Sequence, residues 1–177
     1  LARQAAVEDS DLVARICPLL SAAVRLVAHR VIRNRGTVCG SLAHADPASE
    51  LPAVLLALGG HVVARSTRGE RHIEAEGLFQ GVMETAIAPD ELLVEAWFPA
   101  SSQPFAIVEE SRRHGDFALA GVVRAADRLA LFGVAPTPVL ADPRDPLKGL
   151  QPSGDLEATP AFRLQLVRVL TEKAFAA

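Results

Sequence analysis

The chain has few cysteines. Cys17 and Cys39 stand alone, far apart and in no CxxC pair. Two thiols cannot supply the four ligands of an iron–sulfur cluster, and no His/Cys spacing suggests zinc. They read as free thiols in a reducing compartment, which predicts a cytoplasmic protein. Long apolar runs are missing too: Leu51–Gly60 and Phe117–Ala126 fall well short of the ~20 residues a membrane helix needs. A soluble chain with no membrane span is expected. There is no basic excess, since 18 Lys and Arg face 21 Asp and Glu for a net charge of −3. That argues against a nucleic-acid partner. Neither GxxxxGK[ST] nor GxGxxG occurs. The sequence begins at Leu1 with no visible signal peptide, and it carries no internal repeat.

What is present suits a compact fold. At 177 residues, 50% of them hydrophobic, roughly 70% of the unfolded surface can be buried. Asp9 or Ser10 is a plausible N-cap for Leu12, Val13 and Ile16, and Pro18 opens a second helix running to about His29. Its buried stripe is Leu19, Leu20, Ala23, Val24 and Val27. Pro47–Leu58 reads as a nearly all-apolar helix closed by Gly59-Gly60. The period then changes. His61–Ser66 and Arg71–Glu74 read as a hairpin, followed by a loop or short helix at Glu76–Met83 and a strand at Glu91–Phe98. Beyond Ser101-Ser102-Gln103-Pro104, the strands Phe105–Glu110, Phe117–Arg124 and Arg128–Val134 suit an antiparallel meander. Asp142–Asp155 is loop, and Pro160–Phe175 is a closing amphipathic helix.

The segment Asn34–Pro47 is the most informative. It packs Gly36, Thr37, Gly40, Ser41 and Asp46 into a few residues ahead of the apolar helix. As a loop, it would let main-chain N–H groups approach a phosphorylated ligand, with the positive end of the following helix directed at it. The same residues also suit a turn with no ligand. Asp46 and Glu50 are equally explained as carboxylates favoured at a helix start. Arg30, Arg33 and Arg35 read as a solvated rim or a contact with an anionic cofactor or partner subunit.

Four pieces in order give the chain a family resemblance. They are Ile32-Arg33-Asn34-Arg35-Gly36-Thr37 with Gly40-Ser41, Ala45-Asp46-Pro47 with Glu50-Leu51-Pro52, Glu91-Leu92-Leu93 before Pro99, and Arg112-Arg113-His114-Gly115-Asp116-Phe117-Ala118. Together with Arg128–Val134, they resemble the FAD-binding medium subunit of molybdenum hydroxylases, the family of aerobic carbon monoxide dehydrogenase and xanthine dehydrogenase flavoproteins. The resemblance implies an α+β fold: the second subdomain of a PCMH-type FAD-binding domain over 1–100, then a small antiparallel sheet with one helix over 101–177. It implies FAD as cofactor, contacted by Thr37, Gly40, Ser41, Ala43, His44, Asp46, Glu50 and Leu93. Thr37, Gly40 and Ser41 would supply hydroxyl and backbone contacts, Ala43 and His44 a flavin-side wall, and Glu50 a carboxylate near the ribose or pyrophosphate. Leu93 would pack on a ring, and Arg113 and Asp116 would form a flanking charged pair.

The resemblance further implies an oxidoreductase subunit with no catalytic side chain and no metal of its own. FAD would relay electrons from [2Fe-2S] clusters on a small iron–sulfur subunit to an external acceptor. A large subunit would carry the molybdenum–pterin. Three departures stand out. Cys39 replaces a family glycine and would lie beside the cofactor, and Val108 stands near a position where xanthine dehydrogenase relatives carry a lysine. The family's first subdomain, with its own Gly-Gly loop, has no counterpart here, and the links at Ala125–Arg128 and Leu147–Asp155 look short. A second reading follows from that departure: a truncated structural subunit that keeps subunit contacts but no flavin.

Overall fold

The computed structural model describes residues 1–176. Six helices come first: α1 (Gln4–Glu8), α2 (Asp11–Ile16), α3 (Pro18–Leu26), α4 (Arg30–Arg33), α5 (Val38–His44) and α6 (Glu50–Leu58). Then follow β1 (His61–Ser66), β2 (Gly69–Glu74), α7 (Ala75–Leu78), β3 (Phe79–Gly81), β4 (Glu84–Thr85) and β5 (Leu92–Trp97). The chain ends with β6 (Phe105–Glu110), β7 (Ala120–Ala125), β8 (Arg128–Phe132), β9 (Val139–Ala141) and α8 (Pro160–Ala176). One sheet has the order β2-β1-β5, and a second, four-stranded sheet runs β6-β7-β8-β9, each antiparallel throughout. The fold is thus α+β, as the resemblance implies.

Helix α6 is the hub. All but its last residue are buried, because it packs against α3 on one side and against the inner face of β7 and β8 on the other. Gly59 ends it in the left-handed region at φ 65°, where a Cβ would be strained. The second sheet is covered on both faces. Val123, Ala125, Ala130 and Phe132 join the core around α6, while Ala120, Val122, Leu129 and Leu131 pack under Val167, Leu170 and Ala174 of α8. Strands buried on both faces read as near-continuous apolar runs. On β6, Phe105 and Ile107 point to the α6 side and Ala106 to the α8 side. By alternation, Glu109 shares the inner face with Phe105 and Ile107.

Several boundaries differ from the sequence reading. The predicted loop at Asn34–Pro47 contains α5: Thr37 Oγ1 accepts from Gly40 N at 3.0 Å, and Ala45 at φ 53° ends the helix. Val38, Cys39 and Leu42 are its buried stripe, an amphipathic pattern masked by the small residues. Helix α3 stops at Leu26 rather than near His29, since Ala28 turns at φ 42°. Helix α6 begins at Glu50 rather than Pro47, because Asp46 Oδ1 accepts from Ala48 N at 2.8 Å and holds a turn there. The strand expected from Phe117 begins at Ala120, and the short β9 had no signal of its own.

Candidate functional site

The α3–α4 turn, α5 and the start of α6 form one side of an open cleft. The loop after β6 closes it from the other. Its wall contains Gly36, Thr37, Gly40, Ser41, His44, Asp46, Ser49 and Glu50 on the first side, and Gly115, Asp116 and Phe117 on the second. Gln4, Val27, Ala28 and Ile32 complete it. The space measures about 380 Å³, toward the small end of ~300–1,000 Å³ ligand sites.

Each wall is positioned by a local device. Gln4 N donates to Gly36 O at 3.0 Å and Val38 N to Ala2 O at 3.1 Å, pinning α1 beside the entry to α5. Gly133 N donates to Pro47 O at 2.7 Å, which ties the α5–α6 turn to the second sheet. Ser41 Oγ and Ser49 Oγ are 3.2 Å apart, bridging α5 and the α6 cap residue. On the far wall, Gly115 takes φ 89° and lies so close to the His29 ring that a Cβ would stand 2.5 Å from it. His29 and His114 are tilted rings with centroids 5.6 Å apart.

Two buried polar groups stand in the wall of the cleft. Gln4 is 4% exposed, yet its Oε1 has no hydrogen-bond partner. Glu50 is 7% exposed, and burial, with a smaller push from Asp46, raises its carboxyl to about 7. Its own backbone amide and Arg33 act in the opposite direction. Behind it, burial and then Glu50 push Glu109 up to about 8, and Glu109 Oε2 is buried without a partner.

Of the eight residues expected to touch a cofactor, six line this cleft: Thr37, Gly40, Ser41, His44, Asp46 and Glu50. Ala43 and Leu93 do not. Ala43 is exposed on another face of α5, and Leu93 is buried in the core on β5 opposite Ala64. Cys39 is not beside the cleft either; it is buried, and it faces a separate hollow with Leu20, Val94 and Phe98. Burial raises both free thiols. Val108 packs toward the α8 side of the second sheet. Arg113 and Asp116 form no ion pair among the described residues, and the neighbouring Arg112 pairs with Glu157 at 2.9 Å.

The Arg30 and Arg33 rim is not free for a ligand. Arg33 binds Glu8 through Nε at 2.9 Å and Nη2 at 2.8 Å, while Arg30 binds Glu8 and Asp9. Gln4, Val27 and Ala28 are cleft residues that the sequence did not reveal, since their role appears only once α1 and α3 converge on α5.

Residues 1–101 match the model for the FAD binding domain in molybdopterin dehydrogenase. The chain belongs to this FAD-binding family. It is 48% identical over 118 residues to the nicotine 6-hydroxylase medium subunit of Paenarthrobacter nicotinovorans, covering 67% of this chain and 42% of that one. It is 40% identical over 151 residues to the caffeine dehydrogenase subunit beta of Pseudomonas sp. strain CBB1, covering 78% and 51%. The chain therefore spans about half the length of these relatives. The solved carbon monoxide dehydrogenase from Hydrogenophaga pseudoflava superposes with a TM-score of 0.92 at 28% identity, covering 99% of this chain and 72% of its own. No helix among the described residues is long and apolar enough to cross a membrane.

Proposed function

We propose that the protein is the FAD-binding part of a medium subunit in a molybdenum-containing hydroxylase or dehydrogenase, and that FAD occupies the cleft between α5 and the Gly115 loop. One observation carries this reading: Thr37, Gly40, Ser41, His44, Asp46 and Glu50, all inside the stretch that matches the FAD-binding family, line a single cleft with the Gly115 loop opposite. A cofactor rich in hydroxyls and phosphate oxygens fits those groups. Ser41 would offer its hydroxyl, and the exposed turn of α5 at Gly40 would bring main chain close to the ligand. Thr37 serves indirectly, since its hydroxyl holds the first turn of α5. Asp46 and Glu50 face the same space, and Phe117, 66% exposed, offers a ring at the rim.

When bound, FAD supplies the redox chemistry, and the protein's part is to hold and orient it. No side chain of this chain is assigned a nucleophilic or acid–base step. In this reading, electrons reach the FAD from iron–sulfur clusters on a small subunit. The oxidation of substrate belongs to a large subunit carrying molybdenum–pterin. Residues 1–100 would be the flavin-binding unit and 101–177 the unit that closes over it, in the cytoplasm.

The test is to purify the protein, record its visible spectrum, denature it and identify what is released. Release of FAD is the expected result. A colourless protein that takes up no added FAD would overturn the reading.

A further inference from the structure

The turn between α3 and α4 is strained. Ala28 takes φ 42°, left-handed backbone that a residue with a Cβ rarely adopts. Such a conformation persists only where its surroundings over-determine it, and it gathers at ligand clamps. Here Arg33 supplies the constraint. Its Nη1 donates to Val27 O at 2.8 Å and to Ala28 O at 3.1 Å, while Nε and Nη2 grip Glu8 of α1. Arg33 is only 7% exposed, so the turn is braced from beneath. Ile32 N and Arg33 N both donate to His29 O, at 2.8 and 3.1 Å, which fixes His29 as the residue that opens α4.

The brace carries the His29 ring, which reaches from one wall of the cleft to the other. A Cβ on Gly115 would stand 2.5, 2.7 and 2.9 Å from His29 Cε1, Nε2 and Nδ1, so the ring fills the space a side chain would take. Glycine at φ 89° admits it that closely. His114 packs beside it, with ring centroids 5.6 Å apart.

Little else holds the far wall in place. The end of the loop is anchored, since Leu119 N donates to Glu110 O at 2.7 Å and Leu119 O accepts from Arg163. Its tip is not. Ser111 Oγ and Asp116 N both donate to Arg113 O within the loop, and the Arg112–Glu157 pair is exposed on both sides and therefore weak. Among the described residues, no hydrogen bond or ion pair joins residues 112–117 to α3, α4 or α5. Packing of His29 on Gly115 and His114 makes that connection instead.

Resting on the FAD reading above, we propose that His29 is a positioning residue: seated on the Gly115 main chain, its ring sets the separation of the two cleft walls and holds the tip of the loop, with Phe117, at the spacing the guest needs. His29 is outside the cleft wall itself, so it acts through Gly115 and Phe117. A wall already at its working distance spares the guest the cost of ordering it. Without the ring, the tip must be ordered at the moment of binding. Ordering one or two residues then weakens FAD by about 10-fold, expressed mostly as faster release.

The experiment is stopped-flow flavin fluorescence of FAD binding and release with the purified native protein, His29→Ala and His29→Phe, beside amide hydrogen exchange of the ligand-free forms. His29→Ala should weaken FAD by about 10-fold, chiefly through release, and speed exchange at residues 112–117 while α3 and α5 keep their protection. His29→Phe keeps a flat ring against Gly115 and should restore most of both. Equal affinity in the native protein and His29→Ala, or unchanged exchange at the tip, overturns the proposal and leaves the FAD reading standing. Protection lost throughout α3 to α5 overturns it too, because the ring would then support the fold and not the tip. A phenylalanine variant no better than the alanine one excludes packing as the cause and has the same consequence. Failure of the native protein to bind FAD overturns both.

Discussion

Replacing Gly40 by alanine separates the cleft's role from the fold's. The new Cβ would stand 2.7 Å from Thr37 Oγ1, the atom that accepts the Gly40 N–H. Thr37 must then rotate, and loss of an N-cap costs about 0.5–2 kcal/mol. Against this, alanine inside a helix gains about 0.8–1 kcal/mol over glycine. The two nearly cancel, so stability should change by about 1 kcal/mol or less. That corresponds to a Tm shift of about 2–4 °C for a chain of this size. Binding has no such offset. The added methyl displaces Thr37, itself part of the cleft wall, so the moved side chain takes up ligand space, and overfilling a packed contact costs about 1–3 kcal/mol. FAD affinity should therefore fall by about 5- to 150-fold. Thermal unfolding by circular dichroism and FAD titration by fluorescence quenching measure the two effects. Unchanged affinity would refute the placement of the ligand against Gly40. A large fall in Tm with proportionate loss of binding would refute the separation of site from fold.

Further outcomes follow from the same contacts. Because the Glu50 carboxyl titrates higher in the folded chain than the ordinary value near 4.5, the native state holds the extra proton, and stability is lost as pH rises from about 4.5 to about 7. Glu50→Gln should flatten that slope, gaining on the order of 3 kcal/mol at pH 8 relative to pH 4; parallel urea melts at the two pH values would expose an unaltered slope. Gly121→Val should destabilise the second sheet, since a Cβ there would run into the fully buried Phe132 ring. A cost of at least about 1–3 kcal/mol is expected in urea unfolding, and a neutral result would contradict the packing. Arg33→Ala should cost about 1–3 kcal/mol, since Glu8 keeps Arg30 but loses its two-point partner and the carbonyls of Val27 and Ala28 lose their donor; a change under about 0.5 kcal/mol would show that the pair is solvated.

Much of the fold was legible because local and tertiary signals agree. Ser10 caps α2 by accepting from Val13 N, Pro18 starts α3, and His61–Ser66 is a strand with the predicted ends. The burial of α6 followed from its nearly all-apolar sequence, with Glu50 its single charged residue. The main departure was at α5. Gly40 and Ser41 look like a ligand loop, but the Thr37 cap and the stripe of Val38, Cys39 and Leu42 wind them into a helix. That winding explains which expected residues reach the cleft: Ser41 and His44 fall on one face, while Ala43 points elsewhere and Cys39 inward. Gln4 and the His29–His114 contact depend on chain segments distant in sequence. No local pattern encodes them.

The most direct measurement is amide chemical-shift mapping while FAD is added to the isotopically labelled protein. The account requires the large shifts at Gly36, Gly40, Ser41, Gly115 and Phe117, with Ala43 and Leu93 affected less. Shifts concentrated around the Cys39 hollow or scattered over the second sheet would contradict it.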